Sequence, residues 1–596
     1  MAQHELSWPP EENPKGSLLQ RLVELSLVRG IHVLFALEPG VYLKRPGFYT
    51  LHLGIDLQML AQWALVRKLL IQAGTLGAFF VQTASVLSKR YPLQGFPHRE
   101  EFRMKSGTLR PMDPRLVERL VVLDNMVMTV AMGTSFTDRV NYTENFVRFA
   151  DLDNHTGEFF PGHVLAEAVN RVLEPRFQPV SPEDEIVVTQ GPHLRLLGRL
   201  LWAERESVTL RAYAALMLAR ALGPAASPSL SEAHAPEKGG SGLALMLSLQ
   251  HCFTVAVLEM PFLSGDLFMR WFFPGGHVDV AQDMLARITN ATRQAFLSLH
   301  WIDERTRERA LRRLSDLEKI VGRPENLSVT TQLDEYHAYL PAAREHQSYA
   351  EMLLAMKRAR AAVQLQLLNT SQPVTSPVKR DVPMVIVNAF YVPIYHFIVI
   401  PPGIIFAPFF QAQGVPVALN YGSLGHVIGH EITHSFDEDF GLYNELGERE
   451  DWWSPQSREN FSDRLRCLRR LYNEASVDTG IPFGNTALAE NFADCGGMAK
   501  ALQAFQNFEP QPGASIGGRH FSADQLFFVA SCYKWCWPLS ELRQLRRSGD
   551  KDDVVKFYSP MDLRCNVPLM NTPEFAKAFS CANGSYMNSF RRCEVL

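Results

Sequence analysis

The stretch Gly429-His430-Glu431-Ile432-Thr433-His434-Ser435-Phe436-Asp437 decides how this chain is read. Within it lies H-E-x-x-H. A helix turns once every 3.6 residues, so His430 and His434 stand one above the other on a single face. Two imidazoles so placed can hold one Zn²⁺ from the same side, with Glu431 pointing into the site beside the metal. A catalytic zinc takes three protein ligands and keeps one position for water. The third ligand must come from elsewhere, and Glu490 in A-E-N-F-A-D (489–494) is the candidate. The pentapeptide alone also occurs in ordinary helices that carry two histidines. Its surroundings add weight here: Asp437 follows His434 by three residues, and Glu490 and Asp494 are spaced i, i+4 on a second predicted helix. These acids supply one ligand and two acceptors for the ring N–H groups.

Further blocks stand around this centre in a fixed order. They are V-N-A-F-Y (387–391), the stretch above, D-W-W (451–453), E-N-F-A-D (490–494) and a cysteine near the C-terminus. Together they resemble the neprilysin family of zinc metallopeptidases, which includes the endothelin-converting enzymes. Weaker similarity continues through L-H-W-I-D-E-R-T-R-E-R-A (299–310) and back to about Trp8, so it covers nearly all of this chain but not all of a family member. The resemblance implies a mostly α fold with a small α+β part. Residues 376–596 would form a thermolysin-like zinc lobe of the gluzincin type, facing a large α-helical lid lobe over residues 1–375.

It also implies roles. One Zn²⁺ per chain would be held by His430, His434 and Glu490, with Glu431 as general base and Asp437 and Asp494 orienting the imidazoles. Asn388 and Ala389 would pair with substrate backbone, although an ordinary edge strand explains their text equally well. Phe409, Phe410, Val427 and Trp535 would line an apolar primed-side pocket; each is as readily core. His426 stands where the family usually carries an apolar residue, which would narrow that pocket or make it more polar. The expected activity is cleavage of short peptides on the amino side of bulky apolar residues.

One departure bears on catalysis. The family pattern D-x-H-S-P, followed by an Arg four residues after the Pro, reads here K-F-Y-S-P-M-D-L-R (556–564). Arg564 is kept, as a catalytic and substrate-side residue. Tyr558 replaces the histidine that donates to the oxyanion, and Lys556 replaces the Asp that orients it. Losing one such donor costs about 10²–10³ in rate, while a tyrosine hydroxyl is itself a donor. Two readings therefore stay open: a zinc endopeptidase, or a catalytically impaired homologue that binds zinc and peptides as a decoy or scaffold.

Composition bounds the rest. The 596 residues are 46% hydrophobic and 20% charged, with net charge −4, as in ordered globular proteins of more than one domain. No basic run or charge excess points to nucleic acid; peptide substrates are the expected partners. The N-terminal 16 residues lack an apolar core, and the apolar stretch 384–410 is broken by Pro393, Pro401, Pro402 and Pro408, so no membrane segment is expected in this chain, though the family is often membrane-anchored. N-x-[ST] sequons at Asn141, Asn154, Asn290, Asn326, Asn369, Asn460 and Asn583 suit a secreted or cell-surface protein. The resemblance pairs Cys467 with Cys593 and leaves Cys252, Cys536 and Cys581 with partners upstream of Trp8. Cys495, Cys532 and Cys565 look like additions. The expectation is a chain that begins inside a family member; a cytosolic protein with reduced thiols is the alternative.

Helical periodicity is expected over much of 17–90, and over 112–133, 163–173, 192–221, 279–320 and 344–368, interrupted by a loose insertion at 222–242 and a lobe junction at 369–382. Asp303, Glu304, Arg307, Glu308, Arg312 and Arg313 read as the solvated face of one helix. Beyond 376, strands are expected at 384–392 and 396–400. Helices are expected near 419–436, 454–474, 486–507 and 523–537.

Overall fold

The computed structural model describes residues 17–42, 44, 47–88, 113–132, 146–157, 161–173, 175, 177–189, 191–205, 207–227, 230, 240–273, 276–324, 330–369, 384–444, 450–508, 511–536 and 558–594. They form two compact units, each with its own core.

The first unit comprises Met1–Tyr42, Gly47–Glu259 and His337–Gln372. Its helices include Leu18–Arg29, Pro114–Met132, Gly162–Val172, Gly191–Ala203, Val208–Ala226 and Tyr349–Gln366. Apolar residues at helical spacing, such as Leu120, Leu123 and Val127 on one helix and Leu210, Tyr213 and Met217 on another, close its core. A buried carboxylate knits that core together: Asp124 accepts from Trp63 Nε1 at 2.8 Å, Arg67 Nε at 2.7 Å and the Tyr213 hydroxyl at 3.0 Å. The unit also contains a four-stranded sheet in the order β1 (Ala36–Val41), β2 (Tyr49–Gly54), β4 (Glu185–Val188) and β3 (Phe146–Arg148). Periodicity did not suggest this sheet, because its strands are three to six residues long and β1 carries Pro39 and Gly40. The expected helix 192–221 is two helices broken at Ser207, whose side chain caps the second. The first residues of the expected loose insertion continue that helix to Ala226, while 231–239 and the junction 370–383 lie outside the described residues.

The second unit comprises Leu43–Pro46, Met260–Tyr336 and Pro373–Leu596. Residues 260–336 thus pack with the metal-motif region rather than with the segments that precede them. Their helix His277–Ser298 buries Met284, Leu285, Ile288 and Phe296 in the same core as Leu424, Ile428 and Ile432. β5 (Glu318–Val321), β7 (Phe397–Ile400) and β6 (Phe390–Val392) form a three-stranded sheet with β7 in the middle. β7 is parallel to β5 and antiparallel to β6, which leaves β6 at an edge. The expected strand 384–392 is therefore only its last three residues. The expected helices of this half appear as Pro455–Ala475, Leu488–Gln506 and Ala523–Tyr533. The motif itself lies on His426–His434, entered through a π turn at Tyr421–Gly425.

The solvated-face reading of the Glu304–Asp316 helix needs correction. Asp303, Glu304, Glu308 and Arg312 are exposed, but Arg313 is buried. Its guanidinium donates to the carbonyls of Ser435, at 3.1 Å, and Tyr443, and to the Tyr391 hydroxyl at 3.2 Å. Ser435 caps the C-terminus of the His426–His434 helix, where carbonyls lack intrahelical partners and the helix dipole is negative. A cation placed there satisfies both needs. Sequence spacing cannot distinguish it from the solvated charges on either side.

Among the described residues no single helix is long and apolar enough to cross a membrane. The bridge Cys467–Cys593 is present, and so is Cys532–Cys565, a pairing the sequence did not suggest. Cys252, Cys495, Cys536 and Cys581 are free thiols.

Candidate metal and active site

Two helices lie in contact here because glycine lines both. A methyl group on Gly429 would come within 2.6 Å of the Gly497 carbonyl oxygen, and one on Gly497 within 2.5 Å of the His430 amide nitrogen. No side chain fits between them. The His426–His434 and Leu488–Gln506 helices therefore approach backbone to backbone. That approach brings Glu490 of the second helix to the His430–His434 face of the first. One ligand atom from each of the three residues lies within 4.8 Å of the others, and all three side chains are largely buried.

The surrounding hydrogen bonds fix how the histidines point. His434 Nδ1 lies 2.7 Å from Asp437 Oδ2, and His430 Nδ1 lies 2.9 Å from Asp494 Oδ1. Each Nδ1 thus carries its proton toward a carboxylate, leaving the Nε2 lone pair directed inward. The two Nε2 atoms converge to 3.0 Å, with Glu490 Oε2 3.2 Å from His430 Nε2. That carboxylate oxygen is buried and receives no hydrogen bond. Two inward lone pairs and an unsolvated carboxylate form a donor set suited to a divalent cation, and two nitrogens with one oxygen are a zinc set.

Charge agrees with that fit. Asp494 and Glu490 face the Arg564 guanidinium, and Asp437 faces His434. Burial would push Glu490 upward, but the imidazoles of His434 and His430 outweigh it and hold its carboxyl well below the usual range. Burial would likewise raise Asp494; Arg564 and His430 keep it low instead. Glu431 is buried beside the pair and receives a hydrogen bond from the Tyr391 amide of β6. Burial raises its pKa above the usual carboxylate value, against the pull of both histidines.

Arg564 reaches Asp494 through two parallel bonds, Nε to Oδ2 at 2.7 Å and Nη2 to Oδ1 at 2.8 Å. Its guanidinium lies over the Trp535 ring at 4.1 Å and near the Tyr558 ring at 4.8 Å. Asp494 thereby ties the His430 imidazole, the Arg564 guanidinium and, through the latter, two aromatic rings into one network. Tyr558 itself is 45% exposed. The negative charge of Glu490, followed by burial, pushes that phenol upward, so it stays a donor. Lys556 lies outside the described residues.

The remaining sequence candidates fall as follows. Asn388 is exposed and Ala389 buried, immediately before the edge strand β6. Phe409, Val427 and Trp535 keep partial exposure, whereas Phe410 is only 2% exposed and sits in the core. Sequence reasoning missed three residues around the site: Arg313 at the helix end, Tyr391 as the amide donor to Glu431, and Lys534. The Lys534 ammonium donates to His426 Nδ1 at 2.7 Å. Tyr391 lay in a quoted motif; for Arg313 and Lys534 no spacing signal existed.

Similarity to known proteins follows the same lines. Sequence models of peptidase family M13 match residues 6–324 and 388–595. Neprilysin-3 of Drosophila melanogaster is 29% identical over 427 residues, 69% of this chain and 52% of that protein. Human neprilysin is 32% identical over 336 residues, 56% of this chain and 44% of that protein. An endothelin-converting enzyme homolog of Locusta migratoria is 31% identical over 354 residues, 58% and 46% of the two chains. The chain spans about half the length of these relatives. Among solved structures, the Mycobacterium tuberculosis zinc metalloprotease Zmp1 in complex with an inhibitor superposes with TM-score 0.66 at 22% identity, covering 97% of this chain and 82% of that one. PepO from Lactobacillus rhamnosis superposes with TM-score 0.69 at 19% identity, covering 97% and 85%. These structures share the fold, mostly α with a small α+β part. Members of the matched family are zinc metallopeptidases. With two family models covering most of its length, this chain belongs to peptidase family M13.

Proposed function

We propose that the protein is a zinc-dependent endopeptidase acting on short peptides. The observation that carries this reading is the convergence of His430, His434 and Glu490 on one point, with Glu431 buried beside it. Bound there, zinc supplies Lewis acidity, which makes water a nucleophile near neutral pH and polarises a scissile carbonyl. Glu431 takes the proton of the attacking water and delivers it to the leaving amine. The Tyr391 amide holds the Glu431 carboxyl in place for both transfers. Asp437 and Asp494 keep the imidazoles in the tautomer that points Nε2 inward. Asn388 and Ala389, immediately before the edge strand β6, align substrate backbone as an added strand. Tyr558, with Arg564 behind it, offers a donor to the developing oxyanion. Phe409, Val427 and Trp535 give the primed side apolar walls suited to a bulky side chain.

One observation favours the second reading, a zinc- and peptide-binding homologue of little activity: a tyrosine stands where the family carries its oxyanion histidine. Metal analysis of the purified protein and a quenched fluorescent peptide decide between the two. The endopeptidase reading requires about one zinc per chain and slow cleavage that disappears in Glu431→Gln while zinc is retained. Zinc without cleavage establishes the binding homologue, and absence of zinc overturns both.

Extracellular or cell-surface placement is proposed on the same resemblance. Asn154, Asn290 and Asn583 are exposed. Asn460 instead donates to the Trp301 carbonyl at 2.7 Å, which disfavours its modification.

A further inference from the structure

A histidine one helical turn from His430 holds the basic side chain of Lys534, which makes no ion pair among the described residues. His426 precedes His430 by four residues, so the two share a helix face about 6 Å apart along the axis. His426 Nε2 lies 2.9 Å from the Asp494 carbonyl oxygen. A carbonyl only accepts, so Nε2 carries the proton and Nδ1 is left as an acceptor. The Lys534 ammonium donates to that Nδ1 at 2.7 Å and to the Ser531 carbonyl at 2.8 Å. An ammonium has three donors. Two therefore go to neutral acceptors, and among the described residues no carboxylate lies within ion-pair distance of the third. Asp494, the acid whose charge reaches Lys534, is already committed to Arg564 and His430. The Trp535 indole lies 5.2 Å from the Lys534 ammonium, with Arg564 also against its ring, so this cation belongs to the same wall as the aromatic residue assigned to the primed side.

We infer that Lys534, held by His426, is a specificity-determining residue that selects a carboxylate-bearing side chain, glutamate before aspartate, immediately after the scissile bond. The inference rests on the metallopeptidase reading above and deepens it, replacing a simple preference for bulky apolar residues. An apolar side chain placed against this wall would seal the third donor away from water with nothing to receive it, which is unfavourable. A carboxylate supplies the missing acceptor and the missing charge together. Glutamate can lay its methylenes along the Trp535 ring while its carboxylate reaches Lys534, a reach aspartate lacks. Burial already holds the Lys534 ammonium well below its usual pKa, and an incoming carboxylate would reverse that.

The test separates this inference from the question of catalysis by measuring binding. Three thiol-bearing dipeptide mimics, identical except for a Glu, Gln or Leu side chain after the thiol, are titrated calorimetrically into the zinc-loaded protein. The Glu probe should bind at least 10-fold more tightly than Gln or Leu. Lys534→Met should bring Glu and Gln within 2-fold of each other while zinc stays at one per chain. Equal binding of Glu and Gln by the unaltered protein, tighter binding of Leu, or an undiminished Glu preference in Lys534→Met would each overturn the inference. Should Lys534→Met fail to fold or hold zinc, the three-probe comparison on the unaltered protein decides alone. A Glu preference in a protein that cleaves no peptide would refute the endopeptidase reading and leave this one standing.

Discussion

At the scale of single residues, the proposed peptidase activity turns on Tyr558. Its ring packs against the Arg564 guanidinium and its hydroxyl is a neutral donor. A phenol reaches farther from the backbone than an imidazole, so it meets the oxyanion from a different distance and angle. Tyr558→His should raise kcat by up to about 10²-fold, the value of one oxyanion donor, with KM nearly constant because the donor acts mainly in the transition state. Lys556→Asp should add to this by orienting the new imidazole. Steady-state kinetics on one peptide checks both, and a double mutant that stays inert with zinc bound would place the defect elsewhere. Glu490→Gln keeps the shape of the side chain but removes the charge that Arg564 and the imidazoles face. Zinc content after dialysis should fall to a small fraction of one per chain; full occupancy would show that the third ligand is misassigned.

Elements matter through their spacing. His430, His434 and Glu490, the proposed ligands, converge because two helices touch at Gly429 and Gly497, and an added methyl has no room there. Gly497→Ala should cost about 1–3 kcal/mol by overpacking and lower zinc affinity at least 10-fold, read by chelator competition. An unchanged affinity would mean that the ligand geometry does not depend on this contact. The Cys532–Cys565 bridge ties the end of the Ala523–Tyr533 helix to the Met561–Met570 helix, which carries Arg564. It closes a loop of about 33 residues, for which chain entropy gives about 3–4 kcal/mol. Replacing both cysteines by serine should lower stability by about 2–4 kcal/mol and reduce kcat more than zinc affinity. His430, His434 and Glu490 lie outside the loop, whereas Tyr558 and Arg564 lie at its end. Equal loss of both would assign the bridge a purely structural role.

For the whole molecule, two units with separate cores predict two thermal transitions rather than one. His430, His434 and Glu490, the proposed zinc ligands, all belong to the second unit. Zinc held by these three residues would bind that unit only when folded, and so would raise its stability by mass action. Calorimetry with and without chelator should therefore shift one transition downward and leave the other in place. A single transition, or an equal shift in both, would show that the units unfold as one.

Much of the site was legible in the sequence because it depends on local periodicity. H-E-x-x-H puts two histidines on one helix face wherever it folds as a helix, and the i, i+4 pair Glu490 and Asp494 carries the proposed ligand and the acid beside His430 together. The long helices were legible for the same reason, since each repeats an apolar face over several turns. Tertiary structure decided what depends on distant partners. The four-stranded sheet of the first unit joins strands too short to carry a period, from positions up to about 150 residues apart. Arg313 reads like its solvated neighbours, and only the helix end it meets makes it buried. Cys532 and Cys565 have several partners open to them in sequence, and the packing of two helices chose one. Lys534 acquires its role from His426, more than 100 positions away, because a hydrogen bond needs two groups and a sequence motif shows only one.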